Sequence, residues 1–160
     1  MKTAYLGLGS NIDAGKNIAS AIRSLQNSFT RTAFSPQYQS PAAGFEGGIF
    51  INLVAEVETD MSPIQLKRWL FELENQHGRA RNVPKFSDRT LDIDILMYGD
   101  LYLLSPELEI PREEILEYAH VLKPLADLAP DFLHPVCRRT IAELWDEFQG
   151  QNPEHTLIEL

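Results

Sequence analysis

The chain has a single cysteine, Cys137, among its 160 residues. An internal disulfide is therefore impossible, and no cysteine cluster is available for zinc. No apolar run approaches the roughly 20 residues that cross a membrane, and the N-terminus lacks the charged-then-apolar pattern and small-residue cleavage site of a secretory leader. A cytoplasmic protein is the expectation. Positive charge is scarce as well: 14 Lys and Arg face 23 Asp and Glu, for a formal net charge of −9. That balance argues against nonspecific binding to nucleic acid or to an anionic membrane, so any phosphate ligand must be met by a local cluster of cations. Internal repeats, low-complexity tracts and an obvious long linker are also missing. With 44% hydrophobic residues, the chain is expected to form one domain, 1–160, with a core of its own.

The scarce positive charge is concentrated. Four of the 14 Lys and Arg residues, Arg79, Arg81, Lys85 and Arg89, fall between Gly78 and Arg89, and Gly78 and Pro84 mark that segment as a loop. A solvated connector is the ordinary reading of such a loop. The next residues shift the balance: Arg89-Thr90-Leu91-Asp92-Ile93-Asp94-Ile95-Leu96-Met97-Tyr98 reads as a buried strand carrying two carboxylates. In an extended chain Leu91, Ile93, Ile95 and Met97 point one way, and Asp92 and Asp94 the other. The two acids then lie roughly 7 Å apart at Cα, within reach of a pair of divalent cations about 3.5–4 Å apart. An amphipathic strand with a solvated polar face has the same spacing. Arginine grips phosphate oxygens in pairs and carboxylate oxygens suit Mg²⁺, so the two segments together point to polyphosphate chemistry.

Elsewhere the pattern predicts a strand over Thr3–Leu8 and a helix on Ile18, Ile22 and Leu25 with Asp13 as its cap. Thr30–Phe34 is expected to be a second strand, Ser35–Gly48 a long functional loop, and Ile49–Glu58 a strand with Asn52 as an odd polar insertion. Ser62-Pro63 followed by Gln65 has the form of a capping box, with Leu66, Trp69, Leu70 and Leu73 as the buried stripe and Gly78 as the stop. After the Asp-bearing strand come a short strand, helical pieces at 113–118 and 121–128, and a helix on Ile141, Leu144, Trp145 and Phe148, with the last residues fraying. This order is not the strict alternation of a doubly wound sheet. It predicts an α+β sandwich of ferredoxin-like type, mostly antiparallel, with helices packed on the sheet faces.

Four pieces, in order, resemble the 6-hydroxymethyl-7,8-dihydropterin pyrophosphokinases of folate biosynthesis: Gly9-Ser10-Asn11, Ser40-Pro41 through Phe50-Ile51-Asn52, Glu74 with Gly78-Arg79-Ala80-Arg81, and Arg89-Thr90-Leu91-Asp92-Ile93-Asp94-Ile95. The resemblance covers nearly the whole chain. It implies transfer of the β,γ-pyrophosphoryl group of ATP to the hydroxymethyl oxygen of the pterin, with release of AMP. Asp92 and Asp94 would hold two Mg²⁺ ions, and Arg79 and Arg89 would act as the catalytic arginines. Ser40, Pro41, Ala43, Phe50, Asn52 and His120 would bind the pterin, and Glu74, Arg81, Lys85, Ile95 and Arg112 the nucleotide. Partners would be small molecules alone, ATP and a reduced pterin, bound by a monomer. The sequence departs from the family around Pro111: Arg112 stands where a His is usual, Tyr118 where an Arg is usual, and Glu107 and Glu109 where basic or hydroxyl residues are usual. Two alternatives stay open, a divergent member with another phosphate donor or pterin, and a pterin-binding module without catalysis.

Overall fold

A computed structural model describes residues 1–42, 45, 47–84, 86–154 and 157–160. The chain runs β1 (Lys2–Ser10), α1 (Ala14–Ser28), β2 (Thr32–Phe34), β3 (Tyr38–Ser40), β4 (Phe50–Thr59), α2 (Pro63–Gln76) and β5 (Asp92–Tyr98). It continues with β6 (Leu103–Leu104), β7 (Glu109–Ile110), α3 (Glu114–Glu117), α4 (Ala119–Leu128), α5 (Ile141–Gln151) and β8 (Ile158–Glu159). The main sheet has the order β5-β1-β4-β3-β8, with β2 also paired to β4. Every strand pair among the described residues is antiparallel, in keeping with the expected α+β class. No helix among them is long and apolar enough to cross a membrane.

The sheet is covered on both faces. Ala4, Leu6 and Leu8 of β1 alternate toward Ile18, Ala21 and Leu25 of α1 and Leu66, Leu70 and Leu73 of α2, as a period of two requires. Tyr5 of β1 and Val54 of β4 face the other way, against Leu122 and Leu125 of α4 and Ile141, Leu144 and Trp145 of α5. The start of α2 is as predicted: the Ser62 hydroxyl accepts from the Gln65 amide and the Gln65 side chain accepts from the Ser62 amide, a capping box with Pro63 in the first turn.

Four expectations are corrected. Asp13 does not cap α1; its backbone is left-handed (φ 46°) and its side chain bonds no helix amide. The segment 35–48 is not wholly loop, because Tyr38–Ser40 pairs with Asn52–Phe50 of β4. The tail does not simply fray: Ile158 and Glu159 pair with Gln39 and Tyr38. Met97 does not share a face with Ile93 and Ile95. The register between β1 and β5 shifts at Tyr5/Leu6, so Leu96 and Met97 both join the α4–α5 core while Ile95 and Tyr98 remain with α1 and α2. A one-residue bulge reverses every later side chain in a strand.

Candidate active site

Asp92 and Asp94 precede that bulge and keep the phase the sequence predicts. In register they stand opposite Gly9 and Gly7 of β1, and across β1 those glycines face Asn52 and Val54 of β4. A Cβ on Gly9 would come within 3.0 Å of Asn52 Oδ1, and one on Gly7 within 3.3 Å of Leu96. The glycine rows leave a trough between the two acids and β4, and this trough is the floor of a cavity of about 370 Å³. Gly7 is absent from the expected site residues; its one signal in the sequence is glycine at alternate positions of a strand otherwise rich in large residues, the mark of close approach.

Arginines close one end. Arg79 donates to Asp92 Oδ1 at 3.0 Å, to Glu74 Oε2 at 3.1 Å and to the Leu91 carbonyl at 2.9 Å. Arg89 lies 3.5 Å from the same Asp92 oxygen. Beneath them Glu74 is only 6% exposed. Its carboxylate accepts from Arg79, from Arg81 at 3.0 Å and from the Ile93 amide at 2.8 Å. Burial raises the Glu74 pKa, with the Asp92 charge adding and the amide and arginines opposing. Asp94 is pushed up to about 7, by burial first and the neighbouring Asp92 charge second, while Arg112 pulls the other way.

The opposite end is built from β3, β4 and the start of α4. Asn52 is buried and donates its side-chain amide to Ser40 Oγ at 2.8 Å, satisfying the demand that its place in a strand creates. Ser40, Pro41, Phe50, Asn52 and His120 all line the cavity, as expected. Phe45 and Phe86 line it too; nothing about single aromatics in loops marks them out in sequence. Phe45 meets Phe50 edge to face, with ring centroids 6.2 Å apart. His120 stacks on Tyr118 at 5.1 Å, and burial lowers its pKa to about 4, so the imidazole is neutral near pH 7.

Arg112 reaches the cavity beside Asp94 because its backbone amide is bonded to the Leu96 carbonyl of β5 at 3.0 Å. Glu114 grips its guanidinium at two points, 2.8 and 3.0 Å, and also lines the cavity. Burial opposes the Arg112 charge, but Asp94 and Glu114 outweigh it and raise the pKa. The other expected nucleotide residues among those described, Glu74, Arg81 and Ile95, do not line the cavity. Glu74 lies beneath it. Arg81 is turned to Asn75, Glu74 and the Phe71 ring. The Ile95 side chain is buried toward α1 and α2. Ala43 and Lys85 lie outside the described residues. Glu107 and Glu109 stand away from the cavity; the Glu107 carbonyl instead accepts from Lys67.

The donor set fits a hard divalent cation. Asp92 and Asp94 offer carboxylate oxygens on one side of the trough, and no group of three or more His, Cys, Asp or Glu able to hold a metal occurs among the described residues. A site with two protein carboxylates leaves most of an octahedral Mg²⁺ shell to water and phosphate oxygens, the usual arrangement when the cation arrives with a polyphosphate.

The chain is similar to known proteins. A sequence profile of the 7,8-dihydro-6-hydroxymethylpterin-pyrophosphokinase family matches residues 5–130. The chain is 33% identical over 164 aligned positions to the 2-amino-4-hydroxy-6-hydroxymethyldihydropteridine pyrophosphokinase of Haemophilus influenzae, covering 100% of this chain and 99% of that one. It is 33% identical to the protein of the same name from Aquifex aeolicus, covering 98% and 94%. In fold it superposes on the wild-type HPPK-DHPS of Plasmodium falciparum with a TM-score of 0.77 at 15% identity, over 96% of this chain and 46% of that one. That likeness speaks for the fold alone. Profile and relatives together show that the chain belongs to the 7,8-dihydro-6-hydroxymethylpterin pyrophosphokinase family.

Proposed function

We propose that the chain transfers the β,γ-pyrophosphoryl group of ATP to the hydroxymethyl oxygen of 6-hydroxymethyl-7,8-dihydropterin, releasing AMP, as a step of folate biosynthesis. The observation that carries this reading is the convergence on one cavity of Asp92, Asp94, Arg79, Arg89 and Arg112 with Ser40, Phe50 and Asn52. One set suits a cation-bound triphosphate and the other a flat, hydrogen-bonding heterocycle, and the glycine trough joins them.

Asn52 and Ser40 would read the donor-acceptor edge of the pterin, with Phe50 and the neutral His120 offering ring faces. Two Mg²⁺ ions held by Asp92 and Asp94 would neutralise charge across the triphosphate. In the free protein Arg79 and Arg89 both engage Asp92. If Asp92 turned to a cation, the two Nη1 hydrogens of Arg79 would stay with Glu74 and the Leu91 carbonyl, holding its guanidinium beside the transferred group, and Arg89 would exchange its Asp92 contact for that group. Both then oppose the charge that spreads over the phosphoryl oxygens during an in-line displacement. Arg112 is the cation on the β5 side of the trough and would meet the nucleotide phosphates, with Glu114 fixing its plane. β5 is an edge strand, and the Ile93 amide points outward to Glu74. Residue 95, two positions on, shares that edge, so Ile95 would meet the nucleotide through its backbone.

The test is incubation with ATP, Mg²⁺ and the reduced pterin, followed by chromatography of the nucleotides. AMP in step with pterin diphosphate is expected. ADP would point to single phosphoryl transfer, and no consumption of pterin would refute the reading. Asp92→Asn and Asp94→Asn are each expected to abolish turnover in a folded protein.

A further inference from the structure

Tyr38 is only 3% exposed, yet its hydroxyl serves two carboxylates on separate elements. It bonds Asp127 of α4 and lies 3.2 Å from Glu159 of β8. Lys123 balances the Asp127 charge at 2.5 Å. A phenol has one hydrogen to donate, so Asp127, the nearer acceptor, is the firm partner and Glu159 the lighter one. β8 adds backbone pairing, Gln39 with Ile158 and Tyr38 with Glu159, and the Leu160 amide donates to the Gln37 carbonyl at 2.8 Å. Without β8, the three-residue β3 would be an edge strand between Pro36 and Pro41, neither of which has an amide to give. Glu159 lies beyond the residues that the family profile matches.

The position of this clasp gives it a consequence for the cavity. On β3, Tyr38 and Ser40 are two residues apart and share a face. In register Tyr38 partners Asn52, which donates to Ser40. On α4, Asp127 and His120 are seven residues apart, two turns on one helix face and about 10 Å along the axis. The Tyr38–Asp127 bond therefore ties together, at one end, the two elements whose other ends present Ser40 and His120 to the cavity.

We propose that Tyr38 is a positioning residue for pterin binding: its clasp to Asp127 and Glu159 sets the gap between the wall carrying Ser40 and Asn52 and the wall carrying His120. The proposal rests on the reading that these three residues hold the pterin. Tyr38→Phe keeps the ring and removes the clasp. Titration calorimetry with the reduced pterin, in the presence of Mg²⁺ and a non-hydrolysable ATP analogue, is expected to show pterin affinity about tenfold weaker, the scale of one lost bond to an ionised group. Affinity for the ATP analogue alone stays within about twofold, a change worth under half a kcal/mol. Asp127→Ala should match Tyr38→Phe, and Asp127→Asn, which keeps an acceptor oxygen, should restore binding; this pair decides the matter even if Tyr38→Phe does not fold. Asn52→Ala separates the two levels. If it leaves pterin affinity intact, the pocket assignment falls and the clasp's role with it. If Asn52→Ala abolishes binding while Tyr38→Phe and Asp127→Ala bind as the wild type does, the clasp alone is overturned. Equal loss of pterin and nucleotide affinity in the clasp variants would also overturn it, since that is general loosening of the fold.

Discussion

Replacing Asp94 by Asn should stabilise the free protein above pH 7 and not below pH 5. The carboxyl sits near 7 instead of its ordinary 3.8, chiefly through burial and then through the Asp92 charge. Between those two values the folded protein holds a proton that the unfolded chain has released, so this group's contribution to stability falls as pH rises through the window and is flat above it. Ionised Asp94 costs at most about 4 kcal/mol by linkage. An amide of the same shape escapes that cost but gives up the attraction to Arg112, which retains Glu114. The net gain at pH 8 should be on the order of 2 kcal/mol, roughly 4–8 °C in Tm for a chain of this size. Urea unfolding without divalent cations at pH 4.5 and pH 8 measures it, and turnover of the same variant should be lost. An equal gain at both pH values, or a loss at pH 8, would refute the assignment of a buried, repelled carboxylate at this position.

Three further outcomes are expected. Glu74→Gln leaves one acceptor oxygen for three donors in a buried place, so it should lower stability by about 2–3 kcal/mol in denaturant unfolding and reduce kcat more than it raises KM for ATP, because Glu74 touches Arg79 and not the cavity. Arg112→Ala should weaken binding of a non-hydrolysable ATP analogue by about tenfold at low salt and less at high salt, whereas Glu107→Arg should leave it unchanged; the reverse order by calorimetry would return the acidic segment to the site. Trypsin should cleave within 80–88 in the free protein, and cleavage should be suppressed by Mg²⁺ with the ATP analogue and pterin as the segment closes on its ligands; equal cleavage would mark a passive loop.

Local chemistry made much of the fold legible. The Ser62-Pro63 start, the apolar stripe of α2, the alternation of β1 and the polar insertion at Asn52 each follow from hydrogen-bond supply or from a period that only one element satisfies. The misses have non-local causes. Tyr38–Ser40 is a strand because β4 and β8 flank it, and a strand of three residues carries no periodicity of its own. Met97 changes face because β1 and β5 differ by one residue in length between their paired ends, which only their mutual register can show. Asp13 has the residue type of a cap, yet with its backbone in a left-handed turn its side chain serves no helix amide, and only its carbonyl accepts from Asn17.

The site divides in the same way. A strand with two carboxylates next to a basic loop stands out in an acidic chain, and the cavity collects these residues with Ser40, Phe50 and Asn52. Charge alone, however, does not say which groups face the ligand and which hold others in place. Glu74 and Arg112 look alike in sequence as isolated charges near a motif. In the fold Glu74 is a buried acceptor whose oxygens are taken by Arg79, Arg81 and the Ile93 amide, while Arg112 is brought to the cavity by the Leu96 carbonyl and oriented by Glu114. The acidic run from Glu107 to Glu117 splits likewise: Glu107 and Glu109 stand outside the cavity, and Glu114 enters it only as the partner of an arginine. Its effect on a bound triphosphate is thus set by the one cation it supports, because paired charge repels a phosphate far less than the bare count of glutamates implies.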